Sequence, residues 1–276
     1  MIRFFASVIG GLKIFFGTNC FSRSAAVSFY AIFSIMPLIL LLTAGLGFIF
    51  GKNIGMLDKV IAFVKGSLPY INEKILSDIK DLSKIWKTLG WVSIFSLFWS
   101  AQFVLDGIAS ALTAVFETGH KFKFVRRKVV NILVALIALL AVSASVLISA
   151  LAVILKSTSV ASLGIDANRY RIFQGIAINV LLPSIVIALA VTFVYRIFAG
   201  PNLNLRYSFY GSVVFTVLWG VAKDLFALYL INFPTYNSLY ASMGALMIFM
   251  VWIYFSVALF LYSAAFAMAA YERRSH

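Results

Sequence analysis

The sequence predicts an all-α polytopic membrane protein: one membrane domain, six transmembrane helices, and both ends on the cytoplasmic side. Of 276 residues, 63% are hydrophobic and 12% charged, against roughly 45–50% and about 25% in soluble domains. The mean hydropathy is +1.01. The apolar residues form continuous runs long enough to cross a ~30 Å hydrocarbon core as helices. They lack the alternation of a membrane β-barrel.

The first element is an amphipathic helix within residues 1–23. Ile2, Phe5, Ile9, Leu12 and Phe16 recur at spacings of three and four, with Arg3 and Lys13 between them. That pattern suits a helix lying in the membrane interface, and equally one packed on the cytoplasmic side of a bundle. Lys13 and Arg23 also interrupt any short apolar core of a removable signal, so the first span is expected to stay. Cys20 is the lone cysteine and has no internal disulfide partner.

The first span is expected over about 25–50, with Pro37 near its middle as a kink or break. Residues 51–88 mix lysines and acids with Ile71, Ile75, Ile79, Leu82 and Trp86 at helical spacing. They predict amphipathic helices on the outer surface. The second span covers about 89–116 and carries Gln102 and Asp106. A basic loop, "ETGHKFKFVRRK", follows. The third span covers about 129–155, with Ala141, Ser145 and Ser149 as a small-residue stripe for close helix contact. The fourth covers about 172–198 and has Pro183 as its kink. The fifth covers about 207–231, and the sixth about 240–270 before "YERRSH".

The net charge is +14. In a soluble protein that points to nucleic acid. Here the basic residues sit between apolar runs, so they read as topology signals and as contacts to anionic lipid headgroups, with no nucleic-acid partner. Arg3, Arg23, Arg126, Arg127, Arg196, Arg206, Arg273 and Arg274 all border one side if both ends are inside. Arg169 and Arg171 fall on the other.

The catalytic inventory is thin. The two histidines are His120, in the basic loop, and His276, the last residue. No Cys/His spacing suggests a metal, and no glycine-rich phosphate loop is present. The expectation is a protein that is not an enzyme and takes no cofactor.

The informative polar residues lie inside the spans. Asp106, Lys223 and Asp224 are the acids and bases set deepest in apolar runs. Such groups usually face a bundle interior or a water-filled cavity. An ion pair that only locks helix packing is the plainer alternative. Lys223 and Asp224 are adjacent and point about 100° apart, which predicts that each has its partner elsewhere. Asp106 is the candidate for Lys223, although their depths differ by about 12 Å. Gln102 and Tyr30 join these as candidate cavity residues. Pro37 and Pro183 each interrupt the first span of a three-span half, as an inverted repeat would have it. No matching residue pattern supports that repeat.

Three stretches resemble the YihY/BrkB family of bacterial inner-membrane proteins. They are "SAAVSFYAIFSIMPLILLL", "YRIFAGPNLNLRYSFYGSVVFTVLWGVAKDLFALYL" and "YNSLYASMGALMIFMVWIYFSVALFLYSAAFAMAA". The basic "FVRRK" after the second span also fits. Two departures stand out. Members end the last span with Leu-Gly-Ala-Glu, where this chain has Tyr262, Ser263, Ala264 and Ala265 after Leu261, so the acid is missing. They also often carry asparagine where Thr113 falls.

The resemblance implies a six-span inner-membrane protein of undefined activity and singles out Lys223. Members carry a legacy ribonuclease label that no residue cluster here supports. The functional expectation is a transporter-like or lipid-handling protein with a polar cavity, taking an amphipathic or anionic substrate. The alternative is a structural scaffold of the envelope.

Overall fold

The computed structural model describes residues 2–50, 86–117, 129–137, 140, 141, 143, 181–232 and 241–275. All the regular structure among them is helical. The helices are α1 (Ile2–Gly17), α2 (Cys20–Phe33), α3 (Ile35–Phe50), α4 (Trp86–Val115), α5 (Leu182–Ala199), α6 (Leu205–Asn232) and α7 (Ala241–Ser275). Residues 129–137 are also helical, at the start of the expected third span. Among the described residues, five stretches are long and apolar enough to cross a membrane: Cys20–Gly45, Gly90–Val115, Leu182–Ala199, Leu205–Leu230 and Leu246–Arg274. The chain is an all-α polytopic membrane protein.

The segment 51–85, expected on the outer surface, Ser145, Ser149, His120, His276 and residues 156–171 lie outside the described residues. So do residues 172–180, which precede Pro183 in the expected fourth span.

The first span is broken as proline chemistry requires. Pro37 has no N–H to offer the Phe33 carbonyl, and its ring crowds that carbonyl. The helix therefore ends at Phe33 and restarts at Ile35. Ser34 bridges the break: its N–H reaches the Tyr30 and Ala31 carbonyls, both at 3.1 Å. Its hydroxyl donates to the Tyr30 carbonyl at 2.9 Å. The span also begins earlier than composition suggests. Residues 20–23, assigned from sequence to the interfacial helix, open α2 instead, after a turn at Thr18 and Asn19. Pro183 lies at the start of the described part of α5, and Leu181 before it is also in a helical conformation.

The structure divides into two compact units. The first comprises Met1–Val27 and Leu105–His276, and the second Ser28–Val104. The division falls within α2 and within α4.

In the first unit, α7 packs against both α1 and α6, and α6 packs against α5. Contact with α7 is close along α1: a Cβ added at Gly11 would lie 3.0 Å from the Phe266 backbone. Phe15 meets Tyr262 edge-on at 6.1 Å. The opposite face of α1 carries Phe5, Ile9, Leu12 and Phe16, all exposed. The packing of α1 on the bundle is thus seen in its contact with α7.

Gly211 marks the crossing of α5, α6 and α7. A Cβ there would sit 2.8 Å from Ala267 Cβ and 2.9 Å from the Ser263 carbonyl oxygen. Small residues let membrane helices approach without a hydrophobic drive between them. Beneath the crossing, Thr192 and Ser212 share a 2.6 Å hydrogen bond.

In the second unit, a cavity of about 310 Å³ is lined by Leu41, Ala44, Gly45, Phe48, Gly90, Trp91 and Ile94. Tyr30 stacks on Phe103 at 5.6 Å, and Phe103 meets Trp99 at 6.4 Å.

Candidate functional site

Lys223 and Asp224 sit two-thirds of the way along α6, on a helix otherwise lined with leucine, valine and aromatic residues. Their side chains are 59% and 79% exposed, and Lys223 Nζ lies 3.9 Å from Asp224 Oδ1. This corrects the expectation that neighbours diverging by 100° must find partners elsewhere. The divergence holds for the Cα–Cβ bonds, but a flexible four-carbon stem carries the ammonium back around the helix. Lys223 makes its ion contact with Asp224 and not with Asp106. Val221, Leu225, Leu228 and Tyr229 around the pair are exposed as well.

Asp106 has a different partner. Asn131 Nδ2 donates to Asp106 Oδ1 at 2.6 Å. Asn131 is fully buried, and its own Oδ1 has no hydrogen-bond partner among the described residues. An amide and a carboxylate thus tie α4 to residues 129–137. Sequence reasoning passed over Asn131, although a lone amide after two valines in an apolar run was the available signal. Arg23 works on the same helix: its Nη1 donates to the Ser110 hydroxyl at 3.0 Å, and its Nε to the Thr18 carbonyl at 2.9 Å.

Gln102 and Tyr30, the other candidate cavity residues, are half-buried members of the second unit, whereas Asp106, Lys223 and Asp224 belong to the first.

The stretch "YRIFAGPN" builds the connection between α5 and α6. Tyr195 is fully buried, and its hydroxyl donates to the Phe260 carbonyl of α7 at 2.6 Å. Arg196 donates to the carbonyls of Gly200 and Leu203. Gly200 adopts φ 56°, and its N–H returns to the Arg196 carbonyl. Asn202 Nδ2 reaches the Phe116 carbonyl at 3.4 Å. These polar groups fix the turn and its neighbours. At the position of the missing family acid, Ala264 and Ala265 are fully buried.

Comparison with known proteins agrees with this architecture. The model of the family described as "Virulence factor BrkB" matches residues 13–276. A UPF0761 membrane protein of Alkalilimnicola ehrlichii is 25% identical over 262 residues, covering 93% of this chain and 57% of the relative. One from Coxiella burnetii is 24% identical over 247 residues, covering 89% and 86%. One from Pseudomonas aeruginosa is 25% identical over 244 residues, covering 88% and 57%. The chain thus spans little more than half the length of the first and third of these. No solved structure matches the chain.

Proposed function

Because the chain belongs to the virulence factor BrkB family and is an integral membrane protein, we propose that it binds and moves an amphipathic or anionic solute, lipids included, across or within the bacterial inner membrane. Under this reading it transports its ligand rather than transforming it. The observation that carries the reading is the exposed Lys223–Asp224 pair on a helix suited to span the bilayer. Charge in hydrocarbon costs at least ~2.5–3.5 kcal/mol per group, so such a pair persists where it meets water or a polar ligand. Lys223 then supplies the attraction for an anionic headgroup, and Asp224 gives its side chain a contact between turnovers.

The orientation fits the same reading. Arg196, Arg206 and Arg274 come together where α5 ends, α6 begins and α7 ends, and Arg273 lies beside Gly10 of α1. Positive charge at one end of the spans favours placing that end in the cytoplasm.

A scaffold is the second reading. The Asp106–Asn131 bond favours it, since an interhelical lock of this kind holds a bundle without moving anything.

Purified protein in liposomes tests the two. The transport reading expects movement of anionic lipid or solute that Lys223→Ala abolishes and Asp106→Ala reduces only as far as it loosens the fold. Transport unchanged in Lys223→Ala would remove the proposed role of the pair. No movement by folded wild-type protein would favour the scaffold.

A further inference from the structure

Where α6 begins and α7 ends, the first unit holds a cleft of about 530 Å³ lined by Asn204, Leu205, Arg206, Tyr207, Tyr271 and Arg274. Its walls are built rather than incidental. Tyr207 is buried, and its ring meets Tyr271 edge-on at 5.5 Å and Tyr210 at 5.9 Å. Arg274 Nη1 donates to the Tyr207 hydroxyl at 3.4 Å, which holds one guanidinium at the wall. Arg206 supplies the second: it is exposed and makes no hydrogen bond among the described residues. The acid on the α7 turn is Glu272, half-buried beside Arg273 and Arg274.

Two guanidiniums around one concavity form the donor set that recognises a phosphate, through paired N–H groups aimed at its oxygens. The first turn of α6 lines the same cleft; the Tyr207 and Ser208 N–H groups there donate to the Asn204 carbonyl, and the positive end of the helix dipole adds to the attraction for an anion. Both helices are long and apolar enough to span the bilayer, and the cleft lies at their shared end. That end is the level of lipid headgroups, where tyrosine and arginine anchor.

We propose that this cleft binds the phosphate of an anionic phospholipid headgroup at the membrane surface. The site is local and saturable, unlike the general attraction of a basic surface for anionic lipid. It does not rest on the transport reading, because Lys223 and Asp224 lie well along α6 from it.

The test titrates short-chain phosphatidic acid, phosphatidylcholine and inorganic phosphate against detergent-purified full-length chain. Three samples are compared: wild type, Arg206→Gln/Arg274→Gln, and a control that removes equal charge outside the cleft, Lys13→Gln/Arg273→Gln. Saturable binding of phosphatidic acid is expected, weakened about tenfold in the cleft variant and less than about twofold in the control. Inorganic phosphate competing at millimolar level supports the phosphate contact. Equal loss in both variants, or equal binding of phosphatidylcholine, overturns the site. Phosphate bound without phosphatidic acid overturns the lipid as its source. Should the double variant fold poorly, Arg206→Gln alone takes its place, since that exposed side chain makes no hydrogen bond or ion pair among the described residues.

Discussion

The Tyr195 hydroxyl donates to the backbone carbonyl of Phe260 at 2.6 Å, joining the C-terminal half of α5 to the middle of α7. The ring is fully buried against Phe116 and Phe260, at 6.0 and 5.0 Å between centroids. A carbonyl already engaged within its helix gains a second donor here, which pins the helices in register.

Tyr195→Phe keeps the packing and removes only that bond. A loss of about 1 kcal/mol is expected, the net worth of one buried hydrogen bond. Thermal unfolding in detergent should show a lower Tm with unchanged helicity. An unchanged Tm would mean that the bond contributes nothing to the register of α5 and α7.

Gly211→Val places a branched side chain where a Cβ already comes within 2.8 Å of Ala267 Cβ and 2.9 Å of the Ser263 oxygen. The α6–α7 crossing must open, at a cost typical of overpacking, about 1–3 kcal/mol. By contrast, Gly220→Ala on the same helix meets nothing within 4 Å and should be close to neutral or stabilising. Comparing the two Tm values separates close helix approach from helix propensity.

How much of this was legible in the sequence follows from what each residue type can signal. The long apolar helices and their order follow from composition, because a helix is the structure that satisfies its own backbone in lipid. The break at Ser34 is readable from Pro37, three residues on. Side-chain partners are harder. The reading of Lys223 and Asp224 used the direction of Cβ and left out the reach of the lysine stem, so it missed their contact. Asp106 was matched to a cation by charge, whereas its bond to Asn131 is amide to carboxylate, which charge alone does not suggest. The cleft at Arg206 and Arg274 was hidden because its walls are 68 residues apart in the chain.

Asp106→Ala leaves the buried Asn131 amide without its acceptor. An unsatisfied buried donor costs about 1–3 kcal/mol. The variant should therefore lose stability, and the double variant Asp106→Ala/Asn131→Leu should regain part of it. Additive losses would mean that the two residues do not act as a pair.

The central claim is that Lys223 and Asp224 meet water inside the membrane-spanning part of α6. Cys20 is the only cysteine, so a Cys20→Ser background makes a single probe position possible. Asp224→Cys in that background, in sealed membrane vesicles, is exposed to a membrane-impermeant charged thiol reagent, with the neighbouring apolar position, Leu225→Cys, as the control. Rapid labelling at 224 and little at 225 is expected. Equal and slow labelling at both, with reaction only toward a lipid-soluble reagent, would contradict it.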